Sequence, residues 1–185
     1  MKIMFLAGHS AIGKTEAAKV VSKKLNLAFL AERSILDKVA ERRGFSRIRD
    51  AIKEIVMETL LKEAREETKN QILKSQNNNM IFDGAYDGEL VDFVKKSIPK
   101  AEVLVVGISS NKTMRRQRMM KRKGWSMKES LKELRFIDSV KDRMGGYKIA
   151  RHPDIKIKNK GLFEPFASEL EKTAYSFFID KNSIR

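Results

Sequence analysis

The chain has 185 residues, of which 42% are hydrophobic, and its formal net charge is +15. This length suits a single domain with a sizeable core, and the hydrophobic content excludes an intrinsically disordered protein. The lack of cysteine excludes disulfides, zinc–thiolate sites and thiol catalysis. No apolar run approaches the ~20 residues of a membrane span. We therefore expect no membrane partner. The first predicted strand begins at Lys2, so we also expect no signal or transit peptide.

The first predicted elements are a strand, a glycine-rich turn and a helix. The apolar run at 3–7 indicates a buried parallel strand, and apolar residues at helical spacing indicate an amphipathic helix over 16–25. Between them lies a segment that fits G-x-x-x-x-G-K-[ST], the phosphate-binding P-loop. Its residues, all predicted to bind nucleotide, are Gly8, His9, Ser10, Ala11, Ile12, Gly13, Lys14 and Thr15. At such a strand-to-helix turn, backbone N–H groups and the helix dipole attract phosphate.

The fixed positions of the P-loop have distinct physical roles. Gly8 and Gly13 allow the backbone to bend tightly and to approach a polyanion. We expect the Lys14 side chain to face solvent and to reach the β- and γ-phosphates of ATP, and the Thr15 hydroxyl to bind Mg²⁺. His9 occupies a variable position, and we interpret it as a loop residue and not as a catalytic base. The motif therefore predicts ATP and Mg²⁺ as cofactors and favours a cytoplasmic protein.

Strands and helices alternate along the rest of the chain. Residues 27–30 form a short strand, and 34–43 form a helix that a glycine ends. Apolar residues at helical spacing extend from 48 to about 75. This segment is long for one helix of a globular protein, so we expect a bend or break in it. A loop follows at 77–79. The further predicted strands lie at 80–84, 103–108 and 155–158, the last of them at a sheet edge. The further predicted helices lie at 88–97, capped by Asp87, at 112–122, capped by Asn111, at 127–144, and from Pro165 to 178.

The helix over 127–144 begins at a capping-box match, Ser126 to Glu129. Strands that alternate with helices predict an α/β fold, with a parallel sheet and helices on both faces.

Asp83 closes the third predicted strand. The carboxyl ends of parallel strands line the ligand crevice of such sheets, so we expect Asp83 to lie near the P-loop. An acidic residue at that place would bind Mg²⁺ through its water shell. The alternative is a plain turn residue, because Asp-Gly pairs favour turns.

A basic segment follows the fourth predicted strand. Between residues 112 and 160 there are 17 Lys or Arg against 5 Asp or Glu, a net charge of +12. Such a segment is typical of proteins that bind nucleic acid, a membrane surface or a phosphorylated substrate, and the alternative is a solvated surface. Arg115, Arg118 and Arg122 share one face of a helix. That face either points to solvent or binds the transferring phosphates with planar guanidinium groups.

The next helix adds two further candidate arginines. Arg135 and Arg143 are predicted phosphate ligands, and Asp138 is spaced to orient either of them. The sequence therefore predicts Lys14 and Asp83 among the catalytic residues, with Thr15 and Asp83 as the metal ligands.

These residues together resemble the nucleoside-monophosphate kinase branch of the P-loop proteins, and most of all its archaeal adenylate-kinase-like and dephospho-coenzyme-A-kinase-like members. The resemblance runs nearly end to end, and the P-loop is its most specific motif. Its parts are the P-loop at 8–15, Asp83-Gly84 after a buried strand, Arg118-x-x-x-Arg122, Asp138, and the strand that ends Ile157-Lys158-Asn159.

The resemblance implies a three-layer α/β/α P-loop NTPase fold whose five-stranded parallel sheet has the order 2-3-1-4-5. It also implies an acceptor-binding helical region at about 33–76 and a helical lid at about 111–145. By the same resemblance, Arg118 lies near the adenine or the phosphates and Arg122 contacts the phosphates, so both are candidate catalytic residues. Asn159 lies beside the adenine.

The chain departs from these relatives in the acceptor region. Relatives carry an Asp and then an Arg after the second strand, where this chain has Ser34 and Asp37. Relatives often have Asp-Gly-x-Arg after the third strand, where this chain has Ala85 and Tyr86 after the glycine. Candidate replacements for the missing arginines are Arg33, Lys38, Arg42 and Arg43, with Tyr86 as a candidate to stack on a base.

The leading hypothesis is ATP- and Mg²⁺-dependent phosphoryl transfer to a small nucleotide-like acceptor, either a nucleoside monophosphate or dephospho-coenzyme A. The alternative is a nucleotide-dependent ATPase or binding module that acts on RNA or a ribosomal partner, which the net charge favours. A third hypothesis is a degenerate kinase fold that binds nucleotide for a structural or regulatory purpose.

Overall fold

The computed structural model describes residues 1–55, 57–75, 78–84, 88–143 and 145–179. Its strands are β1 (Lys2–Ala7), β2 (Ala28–Ala31), β3 (Met80–Asp83), β4 (Glu102–Ser110) and β5 (Ile155–Asn159). Its helices are α1 (Lys14–Lys24), α2 (Glu32–Arg42), α3 (Ile48–Glu54), α4 (Met57–Lys74), α5 (Gly88–Ser97), α6 (Lys112–Lys123), α7 (Met127–Arg143), α8 (Gly146–Arg151) and α9 (Phe163–Phe178). None of the described helices is both long enough and apolar enough to cross a membrane.

The strands form one five-stranded sheet in the order β2-β3-β1-β4-β5. Every neighbouring pair is parallel, because each strand is followed by a helical crossover that returns the chain to the same end of the sheet. This arrangement confirms the predicted fold class and strand order. It also places the carboxyl ends of β1 and β3 side by side, with Leu6 in register with Asp83.

Helices cover both faces of the sheet. Alternate residues of β1 point to opposite faces, so Phe5 packs into a core cluster with α2, α4 and α5, whereas Leu6 packs into a second cluster with α1 and α9. The three layers are those that the sequence predicts, since strands buried on both faces consist of continuous apolar runs.

The predicted helix boundaries are confirmed at several points. The long helical pattern breaks as expected, because Ile55 adopts an extended conformation between α3 and α4. The Asn111 side chain accepts a hydrogen bond from the Thr113 N–H at the start of α6. At the start of α7, Ser126 N donates to Glu129 Oε2 at 2.8 Å and Glu129 N donates to Ser126 Oγ at 3.3 Å, which completes the capping box.

One helix was not predicted. The helical pattern of α7 ends near the glycine pair at 145 and 146, as expected, but the chain then forms the short helix α8. Gly145, whose φ of 81° is in the left-handed region, separates the two helices. Some predictions concern residues outside the described part of the chain. These are the N-cap at Asp87, part of the loop at 77–79, and the roles of Ala85 and Tyr86.

Candidate active site

The P-loop connects β1 to α1 in a conformation that requires glycine. Gly8 has a φ of +136°, and a Cβ atom there would lie 2.2 Å from the backbone oxygen of Ile108 in β4. Gly13, with a φ of +92°, is the N-cap of α1. Both residues adopt backbone conformations that residues with a Cβ atom rarely adopt. The loop therefore runs close to β4 and then turns directly into the positive end of a helix dipole.

Lys14 begins α1 and is buried, with 6% of its surface exposed. Its ammonium donates to the backbone oxygens of Gly8 and His9, each at 2.9 Å. The expectation that this side chain faces solvent was therefore wrong, because the P-loop wraps around its own lysine. Burial lowers the pKa of Lys14 below its ordinary value, while the Asp83 carboxylate acts in the opposite direction.

Thr15 and Asp83 meet beside this lysine. The Thr15 hydroxyl donates a hydrogen bond to Asp83 Oδ2. Asp83 is buried, and its Oδ1 atom has no hydrogen-bond partner among the described residues. The predicted proximity of Asp83 to the P-loop is thus confirmed, because β1 and β3 are adjacent in the sheet.

A buried carboxylate oxygen without a hydrogen-bond donor fits a divalent cation, since an unpaired buried charge is otherwise costly. Among the described residues no group of three or more His, Asp or Glu side chains could bind a metal ion. Mg²⁺ commonly takes one or two protein ligands and completes its shell with water and substrate phosphate. The donor set of Thr15 and Asp83 therefore fits Mg²⁺.

Arg115 of α6 connects the P-loop to α7. The side chain is buried, and its Nε donates to the backbone oxygen of Ser10 at 2.8 Å. Its Nη2 donates to both carboxylate oxygens of Asp138, at 2.6 and 2.8 Å, and His9 Nδ1 lies 3.5 Å from the same carboxylate. Asp138 thus binds Arg115 and not Arg135 or Arg143, which corrects the prediction. The helical spacing of α7 could not reveal a partner on another helix.

Arg118 contacts the P-loop through Asn159. Its Nη2 donates to Asn159 Oδ1 at 2.9 Å, and its Nη1 lies 3.4 Å from the backbone oxygen of Ala11. Asn159, at the end of β5, is buried and donates through Nδ2 to the backbone oxygen of Ile12 at 2.8 Å. Its Oδ1 also accepts from the Gly161 N–H at 2.9 Å. Nucleotide contacts by Arg115, Arg118 and Asn159 stay predictions, and none of the three is among the described residues that line the cavity beside the loop.

We expect Asn159→Ala to lower the free energy of unfolding by about 2 kcal/mol, because it leaves the buried Ile12 carbonyl and the half-buried Gly161 N–H without a partner. Urea denaturation followed by circular dichroism measures this change. Asn70→Ala, at an exposed position of α4, serves as the control and is expected to change stability by about 0.5 kcal/mol or less. A loss at Asn159 no larger than the control would contradict a loop-supporting role.

A cavity of about 500 Å³ extends from the P-loop between α2, α3 and α4 on one side and α6 and α7 on the other. Lys14, Thr15 and Asp83 line one end of it. Its volume lies within the range of small-molecule sites in proteins. The three arginines on one face of α6 have different surroundings. Arg122 lines the cavity, whereas the Arg115 and Arg118 side chains donate to backbone oxygens of the P-loop.

The sequence matches the AAA domain family over residues 7–135, well over half of the chain. The chain belongs to this family. No curated protein matches the sequence significantly.

Solved structures with the same fold as this AAA domain include kinases of three different small molecules. Shikimate kinase from Aquifex aeolicus vf5 is 20% identical, with 97% of this chain and 99% of that chain covered and a TM-score of 0.62. Gluconokinase from Sinorhizobium meliloti 1021 is 11% identical, with 94% of this chain and 95% of that chain covered and a TM-score of 0.60. Dephospho-CoA kinase from Campylobacter jejuni is 18% identical, with 95% of this chain and 97% of that chain covered and a TM-score of 0.54. At these identities the likeness concerns the fold. At the level of the fold, these structures confirm the predicted resemblance to P-loop kinases.

Lys141 is a cavity residue of this AAA domain that sequence analysis missed. It lies on α7, is buried, and lines the cavity together with Lys14 and Asp83. Burial lowers the pKa of Lys141 well below its ordinary value, and the Lys14 ammonium lowers it further, whereas the carboxylates of Asp83, Glu32 and Asp138 act in the opposite direction. Two buried lysines at one cavity suit a polyanionic ligand, because negative charge beside them favours their protonated forms. The sequence signal that could have found Lys141 is its position three residues after Asp138, on the same face of α7.

The candidate replacements for the missing acceptor arginines lie in different places. Among the candidate replacements, Arg33 lines the cavity. Arg42 and Arg43 instead form ion pairs with Glu67 and Glu63 of α4. Lys38 is exposed and is absent from the cavity lining.

Two arginines near α3 that sequence analysis missed, Arg47 and Arg49, line the cavity. Arg49 donates to Glu133 Oε2 of α7 at 2.5 Å, and its guanidinium lies 5.1 Å from the centre of the Phe136 ring. No motif marks these two residues, and only the placement of α3 brings them to the cavity.

Proposed function

We propose that this protein catalyses ATP- and Mg²⁺-dependent phosphoryl transfer to a small nucleotide-like acceptor. The observation that carries the proposal is the adjacency of three groups at one end of the cavity. A P-loop lysine, a threonine hydroxyl and a carboxylate with a spare buried oxygen meet there. This set matches what phosphoryl transfer requires, which is positioning and electrostatic stabilisation.

The residues of the chain have separate roles in this proposal. The P-loop backbone and Lys14 bind the β- and γ-phosphates, while Thr15 and Asp83 bind Mg²⁺, which neutralises phosphate charge when it is bound. Arg122 and Lys141 line the same cavity and stabilise the charge that spreads over the transferring group. Arg115 and Arg118 act as positioning residues, because their hydrogen bonds go to the P-loop backbone and to Asn159.

The acceptor side extends over the helices of the predicted 33–76 region, and α6 and α7 of the predicted lid at 111–145 form the opposite wall. The fold neighbours are named as kinases of three different acceptors, which supports a kinase and leaves its acceptor open. An RNA or ribosomal partner gains no support from the family or from these neighbours.

The experiment is ADP release from ATP and Mg²⁺, with and without AMP, CMP, UMP, GMP or dephospho-coenzyme A. We expect at least one of these acceptors to stimulate ADP release by about tenfold or more over the rate with water as the acceptor. Mass spectrometry of the acceptor then detects the added phosphoryl group. Slow ADP release that no acceptor changes would contradict the proposal, and RNA titrations at low and high salt would then test the binding-module alternative.

A further inference from the structure

The cavity follows one face of α7. The residues of this helix that line it recur at helical spacing and are Glu133, Phe136, Ile137, Val140 and Lys141. Lys141 lies at the end beside the P-loop, as the influence of the Lys14 and Asp83 charges on it indicates. Glu133 lies eight residues earlier in the helix, so the two are about 12 Å apart along its axis. The cavity therefore has a P-loop end, at Lys141, and a far end, at Glu133.

The far end carries a guanidinium that is held in place. Arg49 of α3 donates through Nη1 to Glu133 Oε2 at 2.5 Å, and its guanidinium lies 5.1 Å from the centre of the Phe136 ring. The ion pair and the aromatic ring together restrict its orientation. Among the described residues, this guanidinium forms no other hydrogen bond. Its remaining N–H groups are therefore available to a ligand.

Two further cations lie near the far end. Arg47 is two residues before Arg49, and Lys123 is eight residues after Arg115, the α6 residue that bonds to the P-loop backbone. Lys123 is therefore also about 12 Å from the level of the P-loop along its helix. The side chains of Arg47 and Lys123 line the cavity, and neither forms an ion pair with a described residue. An anion at the far end would find positive charge on both walls.

The acidic residues of the cavity do not balance this charge. Among the described lining residues they are Glu16, Asp83 and Glu133. Glu16 and Asp83 lie beside the P-loop, next to and bonded to Thr15, respectively. Glu133 is therefore the carboxylate that the lining places among the cations of the far end, and positive charge remains in excess there.

The middle of the cavity is apolar. Phe136 and Ile137 lie between the two ends of the α7 face, and Ile52 and Leu61 line the opposite wall. All four side chains are half-buried, so each retains surface that a ligand could cover. An apolar or aromatic segment is the part of a ligand that gains most from this region, because its contact removes apolar surface from water on both sides.

We propose that the cavity binds an acceptor with two ends, which carries a second anionic group, a carboxylate or a phosphate ester, remote from the group that is phosphorylated. An apolar segment of about 12 Å separates the two ends. This inference rests on the proposed function and specifies its acceptor. Arg47 and Arg49 bind the remote anion, because the planar guanidinium matches carboxylate and phosphate oxygens alike. Arg47 does so without leaving another ion pair first.

The test measures the binding of rigid probes by isothermal titration calorimetry, with Mg²⁺ and ADP present to occupy the donor site. Biphenyl-4,4′-dicarboxylate carries an anion at each end of an apolar segment, and biphenyl-4,4′-dimethanol is its neutral counterpart. We expect Arg47→Ala to lower the affinity for the dicarboxylate by about tenfold and that for the neutral probe by no more than about twofold. Arg151→Ala, at an exposed position of α8 outside the cavity lining, is the matched control and is expected to change neither affinity.

A shorter probe tests whether both ends bind one molecule. Lys141→Met removes a cation from the P-loop end, and we expect it too to lower the affinity for biphenyl-4,4′-dicarboxylate by about tenfold. Terephthalate, which is shorter by one ring, would bind at either end alone. Each single substitution is therefore expected to lower its affinity by no more than about twofold. Biphenyl-4,4′-diphosphonate distinguishes the two kinds of remote anion, since the kind that the far end binds better loses more affinity in Arg47→Ala.

The outcomes separate this inference from the proposed function. If Arg47→Ala bound the dicarboxylate and the diphosphonate as tightly as the unaltered protein, the assignment of a remote anion to the far end would be overturned. Equal losses for terephthalate and the longer probe would overturn the two-ended arrangement. In both cases, ADP release that an acceptor stimulates would leave the kinase function standing. Probe binding as expected, with ADP release that no acceptor stimulates, would overturn the kinase function and leave a two-ended anion site.

Discussion

Lys14→Met is expected to lower ATP turnover by at least about 100-fold, because removal of one preorganised donor from such a site costs about 10² to 10³ in kcat. Methionine retains most of the side-chain volume and removes the ammonium that the backbone oxygens of Gly8 and His9 bind. Steady-state ADP release at saturating ATP and Mg²⁺ measures the effect.

Stability serves as the control on this result. The substitution removes two hydrogen bonds and also a buried charge, and these contributions oppose each other, so we expect the free energy of unfolding to change by about 1 kcal/mol or less. Lys19→Met, at an exposed position of α1, is expected to leave turnover unchanged. If Lys14→Met remained folded and fully active, the P-loop lysine would have no role in the reaction.

Asp83→Asn is expected to lower turnover by about 100-fold at saturating ATP and to raise the Mg²⁺ concentration needed for half-maximal turnover by about tenfold. Asparagine preserves the shape of the side chain and can still accept the hydrogen bond from Thr15. It lacks the negative charge with which the Asp83 carboxylate would attract a divalent cation. A Mg²⁺ titration of ADP release measures both changes.

A second measurement distinguishes a metal ligand from a structural residue. ATP binding without Mg²⁺ is expected to be unchanged or tighter in Asp83→Asn, since the carboxylate repels the phosphates. Asp92→Asn, at an exposed position of α5, is the matched control. An unaltered Mg²⁺ requirement in Asp83→Asn would remove Asp83 from the metal site and leave its buried Oδ1 atom without an explanation.

The fold was predictable because its signals are local. The buried strands of a parallel sheet consist of apolar runs, and the helices show amphipathic spacing, so β1, the P-loop and α1 follow directly from adjacent residues. The same holds for the capping box at Ser126 and for the cap at Asn111. The helix α8 was missed because it is a six-residue helix without a full apolar pattern.

The site was predictable where a motif implies a geometry. The P-loop implies a nearby acidic residue, and the end of β3 is where parallel strands place one, so the contact between Thr15 and Asp83 followed. The arginine row was only partly predictable. Helical spacing defines a shared face, but it does not reveal that Arg115 on this face bonds to a carboxylate of α7 and to the P-loop backbone.

The sequence by itself determined the α/β class, the phosphate-binding turn and the identity of its lysine, threonine and acidic partner. Only the tertiary structure decided that Lys14 is buried and that Lys141, Arg47 and Arg49 line the same cavity. The physical reason is the range of the interactions. Backbone turns and helix periods are set by neighbours in the chain, whereas burial and charge pairing depend on side chains that packing brings together from separate elements.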